Sequence, residues 1–133
     1  MFWKKRVYQD PKLGELTYSR GLWSATVVAP NGDVLFFRMD GDRNQPNLHK
    51  LEMAQRLVAS ATELAQRALE YLRDREDVRE FAQGNGELIF DGGIDVGHEE
   101  GSFDLSFGFT KWPDGYVIVR FSDGKPTDVM MGD

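Results

Sequence analysis

The sequence predicts an α+β domain in which an antiparallel sheet packs against one long helix. Two observations lead to this prediction. Apolar residues recur every three or four positions over residues 47–73, and strand-like runs are grouped before and after that stretch. Because parallel strands normally alternate with helices along the chain, such segregated runs favour antiparallel pairing. We therefore expect three strands, a long and a short helix, and three to four further strands.

The long helix is predicted by one apolar stripe with a charged opposite side. Glu52 precedes Arg56 by four residues, and Glu63 precedes Arg67 in the same way, which is the more stabilising order for a helical ion pair. The residues expected to face the sheet are Leu57, Val58, Ala61, Leu64 and Ala65. A short second helix over residues 77–83, with Asp77 as its N-cap, is ended by Gly84.

The strands are predicted by alternating apolar residues and by the turns between them. The strands before the helix are residues 13–18, 22–28 and 34–39, and the strands after it are residues 87–96 with a break at Gly92-Gly93, 102–109, 116–121 and 127–131. Pro30-Asn31-Gly32-Asp33 is the strongest hairpin signal, because Asn-Gly tolerates the positive φ that tight hairpins require. The total is six to seven strands.

Composition limits the class of protein and its partners. Residues 1–133 fit a single domain, and 41% apolar and 29% charged residues are typical of a globular chain. The absence of cysteine excludes disulfides and thiolate sites and is compatible with the cytoplasm, where we expect the protein. A formal charge of −6 disfavours nucleic acid as a partner, and no apolar run is long enough for a membrane span.

A candidate binding surface lies near the end of the chain. Trp112 precedes the predicted turn Pro113-Asp114-Gly115, and an exposed tryptophan is typical of a binding surface. Asp114 and Tyr116 complete this candidate surface. A tryptophan packed over its own turn is the alternative interpretation.

A second candidate site is the acidic group Asp91, Asp95, His98 and Asp104. One imidazole with several carboxylates is a ligand set for a hard divalent cation, or an acid–base pair for hydrolysis. A solvated hairpin turn is the competing interpretation of the same residues. The sequence holds no phosphate-binding glycine loop and no nucleophile–base pair at an interpretable spacing, so we expect no cofactor and no catalytic residues.

Leu13-Gly14-Glu15-Leu16, Trp23 with Val27, and residues 107–121 carry a resemblance to a group of small bacterial proteins of uncharacterised function. Some similar small acidic α+β proteins act as immunity partners that block a toxin by binding it. The resemblance implies a protein ligand and no catalytic residues.

The expected function is therefore a non-catalytic protein-binding domain of immunity type or regulatory type. Its partner is either a separate protein or a second copy of the chain, since the terminal run 127–131 is expected to be an unpaired sheet edge. The alternative function is a metal-dependent hydrolase built on Asp91, Asp95, His98 and Asp104.

Overall fold

The protein belongs to the predicted α+β class. The computed structural model describes residues 5–97, 99 and 101–133. Within them the elements, in chain order, are β1 (Val7–Asp10), β2 (Gly14–Ser19), β3 (Leu22–Val28), β4 (Val34–Asp40), α1 (Leu48–Arg73), α2 (Glu76–Ala82), β5 (Leu88–Asp95), β6 (Ser102–Phe109), β7 (Trp112–Ser122) and β8 (Lys125–Gly132).

The eight strands form one sheet in which neighbours in space are neighbours in sequence, from β1 to β8. Two antiparallel meanders, β1–β4 and β5–β8, meet at the centre of the sheet. There β4 and β5 run parallel, with Phe37 opposite Ile94. The pairing is parallel because α1, about 39 Å long at 1.5 Å per residue, carries the chain back to the end of the sheet where β4 began.

The predicted count of six to seven strands is wrong, and so is purely antiparallel pairing. The first strand, β1, was missed because it has only four residues, of which Gln9 and Asp10 are polar. It is held through antiparallel pairing with β2. Residues 88–95 form one strand that passes through Gly92-Gly93 with a bulge between Phe90 and Ile94.

Helix α1 begins one residue later than predicted and ends where predicted. The Asn47 side chain caps it by accepting from the backbone N–H groups of His49 and Lys50, at 3.1 and 3.2 Å. The buried stripe consists of Leu51, Ala54, Leu57, Ala61, Ala65, Ala68 and Leu72. We expected Val58 and Leu64 to face the sheet. They are half-buried and flank the buried stripe.

Both helices lie against one face of the sheet, and the core fills the space between. Strand residues at alternate positions point into this core, and the largest of them without solvent exposure are Trp23, Phe37, Phe107 and Phe121. Four alanines of α1 are buried in the same core, which therefore combines large and small side chains. Among the described residues, neither helix is long and apolar enough to cross a membrane.

Helix α2 covers the end of the core through Val78, which is 3% exposed. Its N-cap is Arg75, whereas Asp77, the predicted cap, lies in the first turn. The Arg75 guanidinium donates to both carboxylate oxygens of Asp77, at 3.2 and 2.9 Å, and to the Tyr71 hydroxyl at 3.1 Å. The hydrogen bonds from Arg75 are the main reason that the pKa of Asp77 is lowered.

The small side chains of the α1 stripe generate a prediction about stability. Ala61 has no exposure, so Ala61→Leu should lower the free energy of unfolding by about 1–3 kcal/mol through overpacking. Ala59→Leu is the matched control, because Ala59 is exposed on the same helix. Urea denaturation of the two variants checks this, and equal stabilities would contradict the orientation of α1.

The Arg75–Asp77 contact generates a prediction about pH. A carboxylate with a lowered pKa contributes stability above its ordinary pKa and loses it as the pH falls through the lowered value. Carbon NMR titration should give Asp77 a pKa below its ordinary 3.8. In Arg75→Gln the pKa should return toward that value. An unchanged titration of Asp77 in this variant would show that Arg75 is not the cause.

Candidate functional site

The face of the sheet opposite the helices is the most unusual surface of the molecule. We call it the uncovered face, and its side chains alternate with the buried core residues of β1–β8. Of the eight large apolar side chains that are well exposed in the described chain, seven point outward from this face: Val7, Val28, Val34, Phe36, Ile89, Tyr116 and Met130. The eighth, Leu48, lies on α1. Exposed apolar groups concentrated on one surface are typical of a binding site.

A bulge in β5 shapes the middle of the uncovered face. Residues 91–93 lie opposite the single residue Ser106, because Phe90 pairs with Phe107 and Ile94 pairs with Leu105. Gly92, with φ +90°, is required here, since a Cβ would collide with the carbonyl oxygen of Val34. The Asp91 carboxylate accepts hydrogen bonds from the Ser106 hydroxyl at 2.8 Å and from the Gly93 N–H at 2.9 Å.

A row of charged residues crosses the uncovered face at right angles to the strands. Arg38, Asp95, Asp104, Arg120 and Asp128 occupy directly opposed positions on β4 to β8. The Arg38 guanidinium lies 3.2 Å from an Asp95 carboxylate oxygen, and the Arg120 Nε lies 3.0 Å from an Asp104 oxygen. We call these five residues the charge row.

The charge row resolves an electrostatic conflict. Asp95 and Asp104 are directly opposite each other, a like-charge arrangement that destabilises a sheet. Each of these carboxylates has an arginine on its other side. Of the two ion pairs, the one between Arg120 and Asp104 is the more buried. The Asp104 side chain is 7% exposed and that of Arg120 is 30% exposed. The hydrogen bond that Arg120 donates to Asp104 is the main cause of the raised pKa of Arg120.

The carboxylates of the predicted metal site border one depression of about 360 Å³ on this face. Asp91, Asp95 and Asp104 line it together with the apolar walls Phe36 and Ile118. His98 lies outside the described residues. Among those that are described, no three histidine, aspartate or glutamate side chains are arranged as ligands for one metal ion.

A larger depression, of about 430 Å³, lies between α1, α2 and the start of β5. Its floor is apolar, with Leu72 and Val78, and the exposed Arg73 and Arg79 stand at its mouth. It contains none of the residues that the sequence singled out. Of these two depressions, the smaller one is the one that lies on the uncovered face.

The structure separates the three candidate binding residues Trp112, Asp114 and Tyr116. The half-buried Trp112 lies on the helix side, with its ring centroid 5.1 Å from that of Phe81 on α2. Tyr116 points to the uncovered face, where it is 39% exposed, and Asp114 is exposed between them. The predicted turn at residues 113–115 is wrong: the chain turns at residues 110–111, and 113–115 belong to β7.

The sequence analysis missed the apolar members of the uncovered face, Phe36 and Ile118 above all. A signal for them existed. In Val34-Leu35-Phe36-Phe37 and in Tyr116-Val117-Ile118-Val119 the apolar residues are consecutive instead of alternating. Because successive strand residues point to opposite faces, such a run places apolar side chains on both faces of the sheet.

Comparisons with known proteins add no assignment: no family model, no curated protein and no solved structure matches this chain. The resemblance to small bacterial proteins therefore stays a prediction. The uncovered face, with its exposed apolar side chains and its charge row, is the strongest indication of function in the described chain.

The two ion pairs of the charge row generate a prediction about stability. Arg120→Met removes the guanidinium from a carboxylate that is 7% exposed, and should cost about 2 kcal/mol in the free energy of unfolding. Arg38→Met should cost less than about 1 kcal/mol, since its pair is 59% and 30% exposed. Chemical denaturation measures both, and a larger loss for Arg38→Met would contradict this account.

Proposed function

We propose that this domain is a non-catalytic binding module that holds a basic protein partner against its uncovered face. The observation that carries the proposal is the concentration of seven exposed large apolar side chains on that face. Covering them removes apolar area from water, which is the main favourable term in protein association. We propose that its biological role is that of an immunity-type or regulatory protein.

Charge supports a basic partner. The whole chain carries −6, and the charge row with Asp91 contains four aspartates and two arginines. Asp91 and Asp128 are exposed, so their charge is available to a partner. Complementary charge speeds the encounter and selects among partners, while the apolar contacts supply most of the affinity.

The arrangement of the face also supports recognition by shape. The depression between Phe36 and Ile118 is a pocket for one protruding side chain of the partner. Interfaces usually concentrate their binding energy in such central pockets with apolar walls. A lysine or arginine of the partner would place its aliphatic stem between these walls and its charge near Asp91.

Phe36 and Leu48 provide a matched pair of variants. They are 48% and 49% exposed, but only Phe36 lies on the uncovered face. Phe36→Ser should weaken partner binding about tenfold or more, because the apolar contact is lost. Leu48→Ser should bind as the wild type does. Neither change should alter thermal stability much, since both residues are exposed.

The measurement begins with affinity purification from the host of this protein, followed by calorimetry of the purified pair. A basic partner that binds more weakly to Phe36→Ser, and whose affinity falls as salt is raised, supports the proposal. An acidic partner, equal binding of both variants, or no partner at all overturns it.

The alternative function is a divalent-metal-dependent hydrolase. Its basis is that Asp91, Asp95 and Asp104 border one depression, although no three described side chains there are arranged as ligands for one metal ion. A cation there would have to compete with Arg38 and Arg120 for two of them. Calorimetric titration with magnesium, manganese, calcium and zinc separates the two functions: micromolar binding that is lost in Asp95→Ala would favour the hydrolase.

A further inference from the structure

The sheet is open beside α1, where strands β4 and β5 diverge. Strand β5 pairs with β6 from Leu88 onward, but it pairs with β4 only from Gly93 onward. Over residues 88–91 the other side of β5 therefore has no partner strand in the described chain. The depression of about 430 Å³ between α1, α2 and β5 lies at this opening, and a second depression of about 340 Å³ adjoins it.

The two depressions form one continuous groove, which we call the helix groove. Leu69 on α1 and Leu88 on β5 line both of them, and the second extends past Ala65. From Arg73 to Ala65 the groove follows α1 for about 12 Å, at 1.5 Å per residue. An elongated groove with apolar walls suits an extended hydrocarbon chain. Its further apolar lining is Leu72, Val78, Ala82 and Phe90.

The two ends of the helix groove carry opposite charge. At one end Arg73 and Arg79 are exposed, and neither forms an ion pair within the described chain. Glu87 borders the same end, so two guanidinium groups stand there against one carboxylate. The other end is bordered by Asp33 and Asp91 and by no basic residue. An anionic group is therefore attracted to the first end and repelled from the second.

We propose that the helix groove binds an aliphatic monocarboxylate, with its carboxylate at Arg73 and Arg79 and its chain along Leu69 and Leu88. Guanidinium groups recognise carboxylates through paired N–H donors, and the chain would remove half-buried leucine surface from water. The volume suits a small molecule, since such pockets hold about 300–1,000 Å³, whereas a stable protein interface needs about 800 Å² from each partner. The groove lies on the helix side, so this proposal is independent of a partner on the uncovered face.

A ligand series tests the position and the direction of the chain. Decanoate is the probe, because its extended chain is about as long as the groove. Methyl NMR titration below the micelle concentration should shift the signals of Leu69, Leu72 and Leu88. Hexanoate should bind about tenfold or more weakly, since it buries fewer methylene groups. Decanedioate should also bind about tenfold more weakly, because its second carboxylate would lie near Asp33 and Asp91. Equal binding of decanoate and decanedioate would overturn the proposed orientation.

Two double variants test the role of the arginines. Arg73→Gln with Arg79→Gln should weaken decanoate binding about tenfold, since each exposed charge pair contributes a few-fold. Arg43→Gln with Arg56→Gln is the matched control, because it removes the same charge from exposed positions outside the groove and should bind as the wild type does. All four arginines are exposed, so thermal unfolding should change little.

Three results would overturn the proposal. They are an absence of decanoate binding at millimolar concentration, an equal loss of affinity in the two double variants, and shifts confined to Val28 and Met130 on the uncovered face. The last result would show that decanoate merely adheres to exposed apolar groups. None of these results bears on the binding of a basic partner, which Phe36→Ser tests separately.

Discussion

The structure depends on one constraint: two helices cover one face of an eight-stranded sheet. Eight strands about 4.8 Å apart make a sheet about 34 Å across, whereas a helix with its side chains is about 10 Å wide. The buried residues nevertheless extend from Leu16 on β2 to Val119 on β7. The twist of the sheet and its large aromatic side chains must therefore close the core around α1. No described helix or strand covers the opposite face.

An uncovered face must be stable in water without a second layer. Polar side chains throughout would achieve this, but here Phe36, Ile118 and Met130 stand beside a row of charges. Within that row the opposed Asp95 and Asp104 are tolerated because Arg38 and Arg120 flank them. Two like charges in directly opposite positions stabilise a sheet less than a neutral pair would. The arrangement is therefore one of the features on which the proposed recognition role rests.

The elements that were predicted correctly are those whose signal lies within one short stretch of the sequence. Helix α1 and the β3–β4 hairpin were predicted nearly to the residue, because the periodicity between Asn47 and Arg73 and the Asn31-Gly32 turn are local. Strand β1 pairs with its sequence neighbour β2, but its four residues are too few and too polar for a periodicity signal. The parallel β4–β5 pair instead depends on contacts with residues far along the chain. Propensity contains no information about such contacts.

The candidate site was less predictable for the same reason. Asp91, Asp95 and Asp104 were singled out together as polar residues, and the bulge at Gly92 brings them to one depression. The arginine partners of Asp95 and Asp104, however, lie on other strands, so the spacing along the chain could not indicate them. Trp112 drew attention as a large aromatic residue next to a turn. Its contact with Phe81 on α2 depends on how the helix docks, which a local pattern does not encode.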